Sequence, residues 1–142
     1  MPVSDCSGNK KSLFVGINYT GMNGELRGCL NDVVNMKNFV TSNYGFSEDS
    51  EHMLVLTDDQ SGKFSPTREN IVAAMRWLVE GAQPGDSLFF HYSGHGGTQK
   101  DESPESDELD GQDETLVPLD YQTNGMIVDD EIHAILVAPL PA

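Results

Sequence analysis

Residues 87–97 have the sequence Ser87-Leu88-Phe89-Phe90-His91-Tyr92-Ser93-Gly94-His95-Gly96-Gly97. The stretch begins with apolar and aromatic residues, which is the composition of a strand buried on both faces. It then changes abruptly to glycines around one histidine. In open α/β sheets, ligands bind at the carboxyl ends of the strands. The pattern therefore predicts a central strand that delivers the His95 imidazole to a binding edge, and a histidine in an ordinary polar loop is the alternative.

The residue types around His95 suit proton transfer. Histidine titrates nearer to neutral pH than any other side chain, so it can serve as a general acid or base. The neighbouring glycines permit positive φ angles and let another segment of backbone come close.

The segments before this stretch alternate between two hydrophobic patterns. Apolar runs predict strands at 12–19 and 53–57, and amphipathic patterns predict helices at 30–44 and 67–80. Thr67 is suited to cap the second helix, and Gly45 and Gly81 are suited to end the two helices. The order β-α-β-α-β with short connections predicts a mostly parallel sheet flanked by helices, an α/β/α architecture.

The remaining segments are less regular. Beyond Gly97 we expect a long acidic loop, a short strand at 114–120 whose proline favours an irregular or edge position, a turn at 121–125 and a helix at 131–137. Residues 1–10 are polar and patternless, which predicts a disordered lead-in. Residues 11–142 are expected to form one domain.

Composition restricts the partners and the compartment. The 142 residues carry a net charge of −15, which makes nucleic acid an unfavourable partner and favours metal ions or basic peptides. The sequence has no apolar run long enough to span a membrane, and its start lacks the features of a signal peptide. Two cysteines are too few for a disulfide framework, so we expect a cytoplasmic, reduced protein and keep the nucleus open as a second location.

Three residues are candidates for a site together with His95. Cys29 lies just before the first predicted helix, where a helix N-terminus lowers a thiol pKa, so it is a possible nucleophile; packing as a small apolar residue is its structural alternative. Asp32 can offer a carboxylate to a guanidinium, or it can simply belong to the first turn of the helix. Ser93 is close to His95 in sequence but has no evident third group to orient the histidine.

The acidic C-terminal part contains carboxylates that are candidates for a metal site. Its spacing does not match an EF-hand loop, but Asp113, Asp129 and Asp130 could gather carboxylates across a loop and a helix start. Oxygen ligands favour calcium or magnesium over zinc. Solvated acidic loops are the structural alternative.

Four motifs in this order resemble a type I metacaspase, and the resemblance runs from about Lys11 to the end of the sequence. The motifs are Lys11-Ser12-Leu13-Phe14-Val15-Gly16-Ile17-Asn18-Tyr19, Leu26-Arg27-Gly28-Cys29-Leu30-Asn31-Asp32, His91-Tyr92-Ser93-Gly94-His95-Gly96 and Asp113-Glu114-Thr115-Leu116-Val117-Pro118-Leu119-Asp120. The resemblance implies a caspase-like fold and a cysteine endopeptidase that cleaves after Arg or Lys, generally with Ca2+.

The resemblance also implies roles for individual residues. His95 matches the catalytic histidine, the general base of a Cys-His dyad. Cys29, Asp32 and Ser93 match positions that line the pocket for the basic P1 side chain, where a buried carboxylate would pair with it. Asp113, Asp129 and Asp130 match calcium-ligand positions.

One departure from the family pattern qualifies this interpretation. The family's nucleophilic cysteine lies on the next strand, in an Asp-x-Cys-His-Ser-Gly motif, and the sequence ends before such a motif. We therefore expect a truncated large-subunit portion that is inactive as it stands. Its partners would be peptides with Arg or Lys at P1 and the remaining part of a metacaspase chain, and the complete protein would be a monomer.

Two alternatives remain open. A non-catalytic pseudopeptidase could bind calcium or basic peptides and regulate a full-length metacaspase. Alternatively, Cys29 itself could act as the nucleophile.

Overall fold

The computed structural model describes residues 7–100 and 112–141, and of residues 97–100 and 112–114 it describes the backbone only. The strands are β1 (Lys10–Gly16), β2 (Met53–Thr57), β3 (Ser87–Ser93), β4 (Gly96–Lys100), β5 (Gln112–Leu116) and β6 (Ile127–Val128). The helices are α1 (Cys29–Tyr44), α2 (Arg68–Val79), α3 (Tyr121–Asn124) and α4 (Asp129–Leu136), and a short 3₁₀ turn spans Gly62–Phe64.

A parallel three-stranded sheet organises the fold, in the order β2-β1-β3. β1 lies in the middle, and its last residue, Gly16, pairs with Thr57 on one side and Ser93 on the other. All three strands therefore end at the same level. This shared register places the segments that follow them along one edge of the sheet.

Side chains alternate between the two faces of β1, as strand geometry requires. Leu13 and Val15 belong to the core on the side of α2, whereas Phe14 belongs to a second cluster with Val33 and Val40 of α1. All three β1 side chains are fully buried. The two helices thus cover opposite faces of the sheet, and the predicted α/β/α architecture is confirmed.

The second sheet is antiparallel, in the order β4-β5-β6. Asp120, just before α3, and Glu131, in the first turn of α4, connect this part of the chain to the start of α2. The Arg68 N–H donates to Asp120 Oδ1 at 2.8 Å. The Arg68 guanidinium Nη2 donates to both carboxylate oxygens of Glu131, at 2.7 and 2.5 Å. These contacts hold the start of α4 against the start of α2.

The two long helices closely match their predicted spans. α1 ends at Gly45, whose φ of 71° is the left-handed conformation expected of a glycine after a helix. Thr67 caps α2, because its side chain accepts a hydrogen bond from the Asn70 N–H. None of the helices in the described part of the chain is long and apolar enough to cross a membrane.

The position of β3 differs from the prediction. β3 was expected to be a central strand buried on both faces, but all of its residues are only partly buried. Among the described residues it pairs with β1 alone, so its second edge has no neighbouring strand. The central, fully buried strand is β1 instead.

The irregular segments also differ from the prediction. Residues 96–100 form β4 where a loop was expected, because β5 provides an antiparallel partner for glycine and polar residues that carry no strand pattern. The strand predicted at 114–120 is β5, which ends at Leu116, before Pro118. The turn predicted at 121–125 contains α3, and α4 begins at Asp129 rather than at residue 131.

The predicted lead-in, residues 1–10, is described only from residue 7 onward. Its described end is hydrogen-bonded: the Gly8 N–H donates to Gly85 O at 2.9 Å, and the Asn9 N–H donates to Asp86 Oδ1 at 2.8 Å. Residues 1–6 and most of the predicted acidic loop, residues 101–111, lie outside the described residues.

Candidate functional site

The candidate site lies at the carboxyl edge of the parallel sheet. The connection between β1 and α1 begins there, where the Ile17 N–H donates to Ser93 O at 2.9 Å. Ser93 is the last residue of β3, and His95 lies between β3 and β4. The structure thus brings His95, Ser93 and the β1–α1 connection to the edge at which open α/β sheets bind ligands.

The imidazole of His95 is held by the backbone of the β1–α1 connection. Its Nε2 lies 2.5 Å from the carbonyl oxygen of Gly24. A carbonyl oxygen can only accept a hydrogen bond, so Nε2 carries the proton in this contact. In the neutral ring, Nδ1 then has the free lone pair. The contact therefore fixes the tautomer in which Nδ1 is the basic nitrogen.

The connection that supplies Gly24 is fastened at several points. Asp58, just after β2, accepts the N–H groups of Asn18 at 3.1 Å and of Thr20 at 3.3 Å. Asn18 in turn accepts the Cys29 N–H through its side chain at 2.9 Å and the Leu26 N–H through its backbone at 2.6 Å. These bonds make the connection a fixed support for the imidazole.

Asp32 and Ser93, predicted to share a pocket, are in direct contact. The Ser93 Oγ donates to Asp32 Oδ2 at 3.0 Å, joining the end of β3 to the first turn of α1. The prediction of a buried carboxylate is wrong in this structure, because the Asp32 side chain is exposed at the rim of the edge. Water weakens charge interactions at such a position, so Asp32 is accessible to a cation without being paired strongly in advance.

Cys29 lies in the same region, at the start of α1. It is the first residue of α1, its thiol is free, and it is buried with 7% of its surface exposed. Among the described residues no hydrogen bond joins the Cys29 thiol to His95. The arrangement is that of a packed side chain at a helix start.

His91 lies on the same side of β3 as Ser93 and faces α1. Its ring centroid is 6.1 Å from that of Phe14, and its Nε2 is buried without a hydrogen-bond partner among the described residues. Burial lowers the pKa of His91, and the negative charge of Asp32 offsets part of this effect. His91 is therefore uncharged at neutral pH and leaves the charge of Asp32 uncompensated.

The predicted metal ligands are only partly described. Asp129 and Asp130 are the first two residues of α4, and Asp129 Oδ1 is buried without a hydrogen-bond partner in the described part of the chain. Asp113 is on β5, two residues before Thr115, which pairs with Val128; its side chain lies outside the described residues. Within the side chains that are described, no three His, Cys, Asp or Glu residues form a group able to hold a metal.

Comparisons with known proteins identify the family. A family model described as "Metacaspase, peptidase C14 domain" matches residues 10–142. The chain belongs to the metacaspase family. Metacaspases are cysteine peptidases, and the α/β/α sheet described above is caspase-like.

Named relatives agree with this assignment. The chain is 59% identical to Metacaspase-1 of Eremothecium gossypii over 138 residues, covering 96% of this chain and 30% of that protein. It is also 59% identical to Metacaspase-1 of Mycosarcoma maydis over 139 residues, covering 97% of this chain and 33% of that protein. The chain thus spans about a third of the length of these metacaspases.

A solved structure supports the fold. The crystal structure of protein GSU0716 from Geobacter sulfurreducens matches this metacaspase chain with a TM-score of 0.66 and 26% sequence identity. The match covers 94% of this chain and 46% of that one.

The sequence did not predict several residues of the candidate site. Asp58 could have been found, because an acid directly after a predicted parallel strand lies at the binding edge. Gly24 and Tyr19, whose hydroxyl accepts the His95 N–H at 3.0 Å, carried no such signal. Gly24 contributes only a backbone carbonyl, and Tyr19 lies within an apolar run that predicts a strand. Their roles depend on contacts with residues more than 70 positions away.

Substituting Gly24 tests the contact that fixes the His95 tautomer. Gly24 has a φ of 79°, and a Cβ there would lie 3.2 Å from His95 Nε2. We expect Gly24→Ala to displace the carbonyl and to change the His95 ring 15N shifts from those of a pure Nε2–H tautomer, as measured by NMR with 15N-labelled histidine.

Gly21→Ala is the matched control. Gly21 has the same φ of 79°, but a Cβ there would have no neighbour within 4 Å. Both alanines carry the same backbone strain, and only one reaches the imidazole. Identical His95 ring spectra in the two variants would contradict the assignment.

Proposed function

We propose that the protein is a cysteine endopeptidase that cleaves after Arg or Lys, with His95 as its general base. The observation that carries the proposal is the bond between His95 Nε2 and the Gly24 carbonyl. Because this bond uses the Nε2 proton, Nδ1 is available to accept a proton at the edge of the sheet.

The proposed nucleophile is a cysteine supplied by a segment other than residues 1–142. Nδ1 of His95 would take the thiol proton as sulfur attacks the scissile carbonyl, and would pass it to the leaving amine; water would then hydrolyse the acyl-enzyme. The second edge of β3, which pairs with no strand in the described part of the chain, supports this arrangement. A parallel strand added there would end beside His95, as β1 and β2 end beside β3. Residues 1–142 alone would be inactive.

The proposed P1 preference rests on Asp32 and Ser93. Their hydrogen bond holds the Asp32 carboxylate at the carboxyl edge of the sheet. Because His91 is uncharged, the negative charge of Asp32 is available to a substrate. A guanidinium or ammonium group would be attracted to this charge, whereas an acidic P1 side chain would be repelled. Cys29 would contribute to the wall of this pocket.

We further propose that Ca2+ binds at the start of α4. Oδ1 of Asp129 is buried and has no hydrogen-bond partner among the described residues, which suits a hard cation, because an unsatisfied buried carboxylate oxygen is costly. Asp129, Asp130 and Asp113 would hold the ion. Bound calcium would offset the repulsion among these carboxylates and stabilise the junction of β5 and α4.

The partners of the complete protein would be peptide substrates and the rest of its own chain, with neither nucleic acid nor membrane involved. We propose a cytoplasmic monomer, with the nucleus as a second location.

A pseudopeptidase is the second candidate function. Two features favour it. The Asp32–Ser93 pair could bind a basic peptide without a nucleophile. Asp129 Oδ1, which has no hydrogen-bond partner among the described residues, could likewise bind calcium. Binding of an Arg-containing peptide by the complete protein without any cleavage would favour this candidate.

The peptidase proposal is tested by His95→Ala in the complete protein, with peptides that carry Arg, Lys or Asp at P1. We expect kcat to fall by about 10²- to 10⁴-fold, the usual range for loss of a general base. His52→Ala is the control, since His52 bonds to Asp49 away from the sheet edge. Cleavage by His95→Ala at the rate of the control, or cleavage after Asp, would count against the proposal.

The calcium proposal is tested by isothermal titration calorimetry on the complete protein. We expect Asp129→Asn and Asp130→Asn to weaken calcium binding by about tenfold or more, because affinity follows the number of charged ligands. Glu48→Gln, at an exposed position before β2, removes the same charge elsewhere. Equal affinities in all three variants, or no heat at about millimolar calcium, would rule out this site.

A further inference from the structure

Two tyrosine hydroxyls occupy the end of the β4–β5 ladder. Gly96 pairs with Leu116, so His95 and Val117 would form the next antiparallel pair. The hydroxyls of Tyr19 and Tyr92, whose oxygens lie 3.0 Å apart, are inserted between them. One direct bond remains, from the Val117 N–H to His95 O, and it is long at 3.3 Å.

The hydroxyls bridge His95 and Val117 in both directions. In one direction, the His95 N–H donates to Tyr19 Oη at 3.0 Å, and Tyr19 Oη donates to Val117 O at 2.6 Å. In the other, the Val117 N–H donates to Tyr92 Oη at 3.2 Å, and Tyr92 Oη donates to His95 O at 2.7 Å. Both backbone polar groups of His95 are therefore held by tyrosine side chains.

Tyr19 also contacts the imidazole itself. Its ring centroid lies 4.7 Å from that of His95, with 34° between the ring planes. The Gly24 carbonyl accepts a hydrogen bond from Nε2 of the same ring. Ring contact and carbonyl together determine where the imidazole lies and how it is rotated.

The surrounding chain is shaped to admit the two hydroxyls. Tyr19 has a φ of 55°, and it is the one described residue other than glycine with a positive φ. Such a conformation is rare for a bulky side chain and marks a local constraint. Gly94 leaves the space: a Cβ there would lie 2.7 Å from Tyr92 Oη and 3.1 Å from Tyr19 Oη.

We propose that Tyr19 and Tyr92 are positioning residues for His95, and that their paired hydroxyls set the distance and orientation of the catalytic imidazole. The proposal rests on the function proposed above. Tyr19 is 1% exposed, and burial raises the pKa values of both phenols, so the bridge stays protonated and uncharged at any pH at which a peptidase works.

Removing either hydroxyl has a definite structural consequence. Without it, the backbone groups of His95 and Val117 can bond directly, as in an ordinary ladder, and this draws His95 toward β5. A shift of this kind misplaces the base relative to its nucleophile. It leaves the Asp32–Ser93 pair at the rim unchanged, so substrate binding should be preserved.

The test uses Tyr19→Phe and Tyr92→Phe in the complete protein, with Tyr44→Phe as the matched control. Tyr44 lies at the end of α1 and is 55% exposed, so it loses the same hydroxyl far from His95. We expect kcat to fall by about 10- to 100-fold in each bridge variant, with KM within about twofold of the control. We also expect the His95 ring 15N shifts, assigned with His95→Ala, to move away from a single Nε2–H tautomer.

The double variant adds an independent readout. Because both hydroxyls act on the same pair of residues, Tyr19→Phe/Tyr92→Phe should lose less than the product of the two single losses. If Tyr19→Phe does not fold, Tyr92→Phe carries the test, since it leaves the bond between the His95 N–H and Tyr19 intact.

The proposal would be overturned if folded bridge variants matched Tyr44→Phe in both kcat and His95 ring shifts. A kcat loss that only follows the folded fraction, with unchanged ring shifts, would also overturn it. If the complete protein cleaves no peptide, the proposed peptidase function fails, and the ring shifts still decide whether the hydroxyls position His95.

Discussion

The shared register of β1 with its two neighbours is the constraint on which the site depends. Gly16 pairs with both Thr57 and Ser93, so the three strands end at one level. The residues that follow the strands, such as Asn18 after β1 and His95 after β3, therefore lie at the same edge of the sheet, although they are far apart in sequence. The register is specified by burial, because a shift of one residue would move Leu13 and Val15 from one core to the other face of the sheet.

The site combines a histidine held at several points with an exposed carboxylate. His95 is held through its backbone by the hydroxyls of the buried Tyr19 and the partly buried Tyr92, and through its ring by the Gly24 carbonyl. The Asp32 carboxylate, in contrast, is exposed, and among the described residues it is hydrogen-bonded only to Ser93. This difference suits their proposed roles, since a general base must be oriented before the reaction, whereas a specificity pocket must admit a side chain from solvent.

The sequence predicted the parts of the fold that depend on hydrophobic pattern. The apolar runs of β1 and β2 and the amphipathic stripes of α1 and α2 were placed closely, and the motifs pointed to the metacaspase family. β4 was missed because its glycines and polar residues form a strand only when β5 pairs with them. The apolar run of β3 suggested a central strand, because its composition does not say how many neighbours it has.

The sequence predicted several residues of the site but not the contacts that hold them in place. His95, Asp32 and Ser93 were assigned to one edge, and the structure brings them there. The supports of His95 could not be predicted, because a backbone carbonyl has no sequence signal and Tyr19 resembles an ordinary strand residue. Its positive φ is a consequence of tertiary contacts.

The most direct measurement is to find which cysteine reacts with a substrate-like reagent. The complete protein would be treated with an arginine-containing peptide that carries a thiol-reactive group at the scissile position, and the adduct located by mass spectrometry. We expect an adduct on a cysteine outside residues 1–142, and none when His95 is replaced by alanine. An adduct on Cys29 would contradict the proposed role of His95 with a nucleophile from another segment.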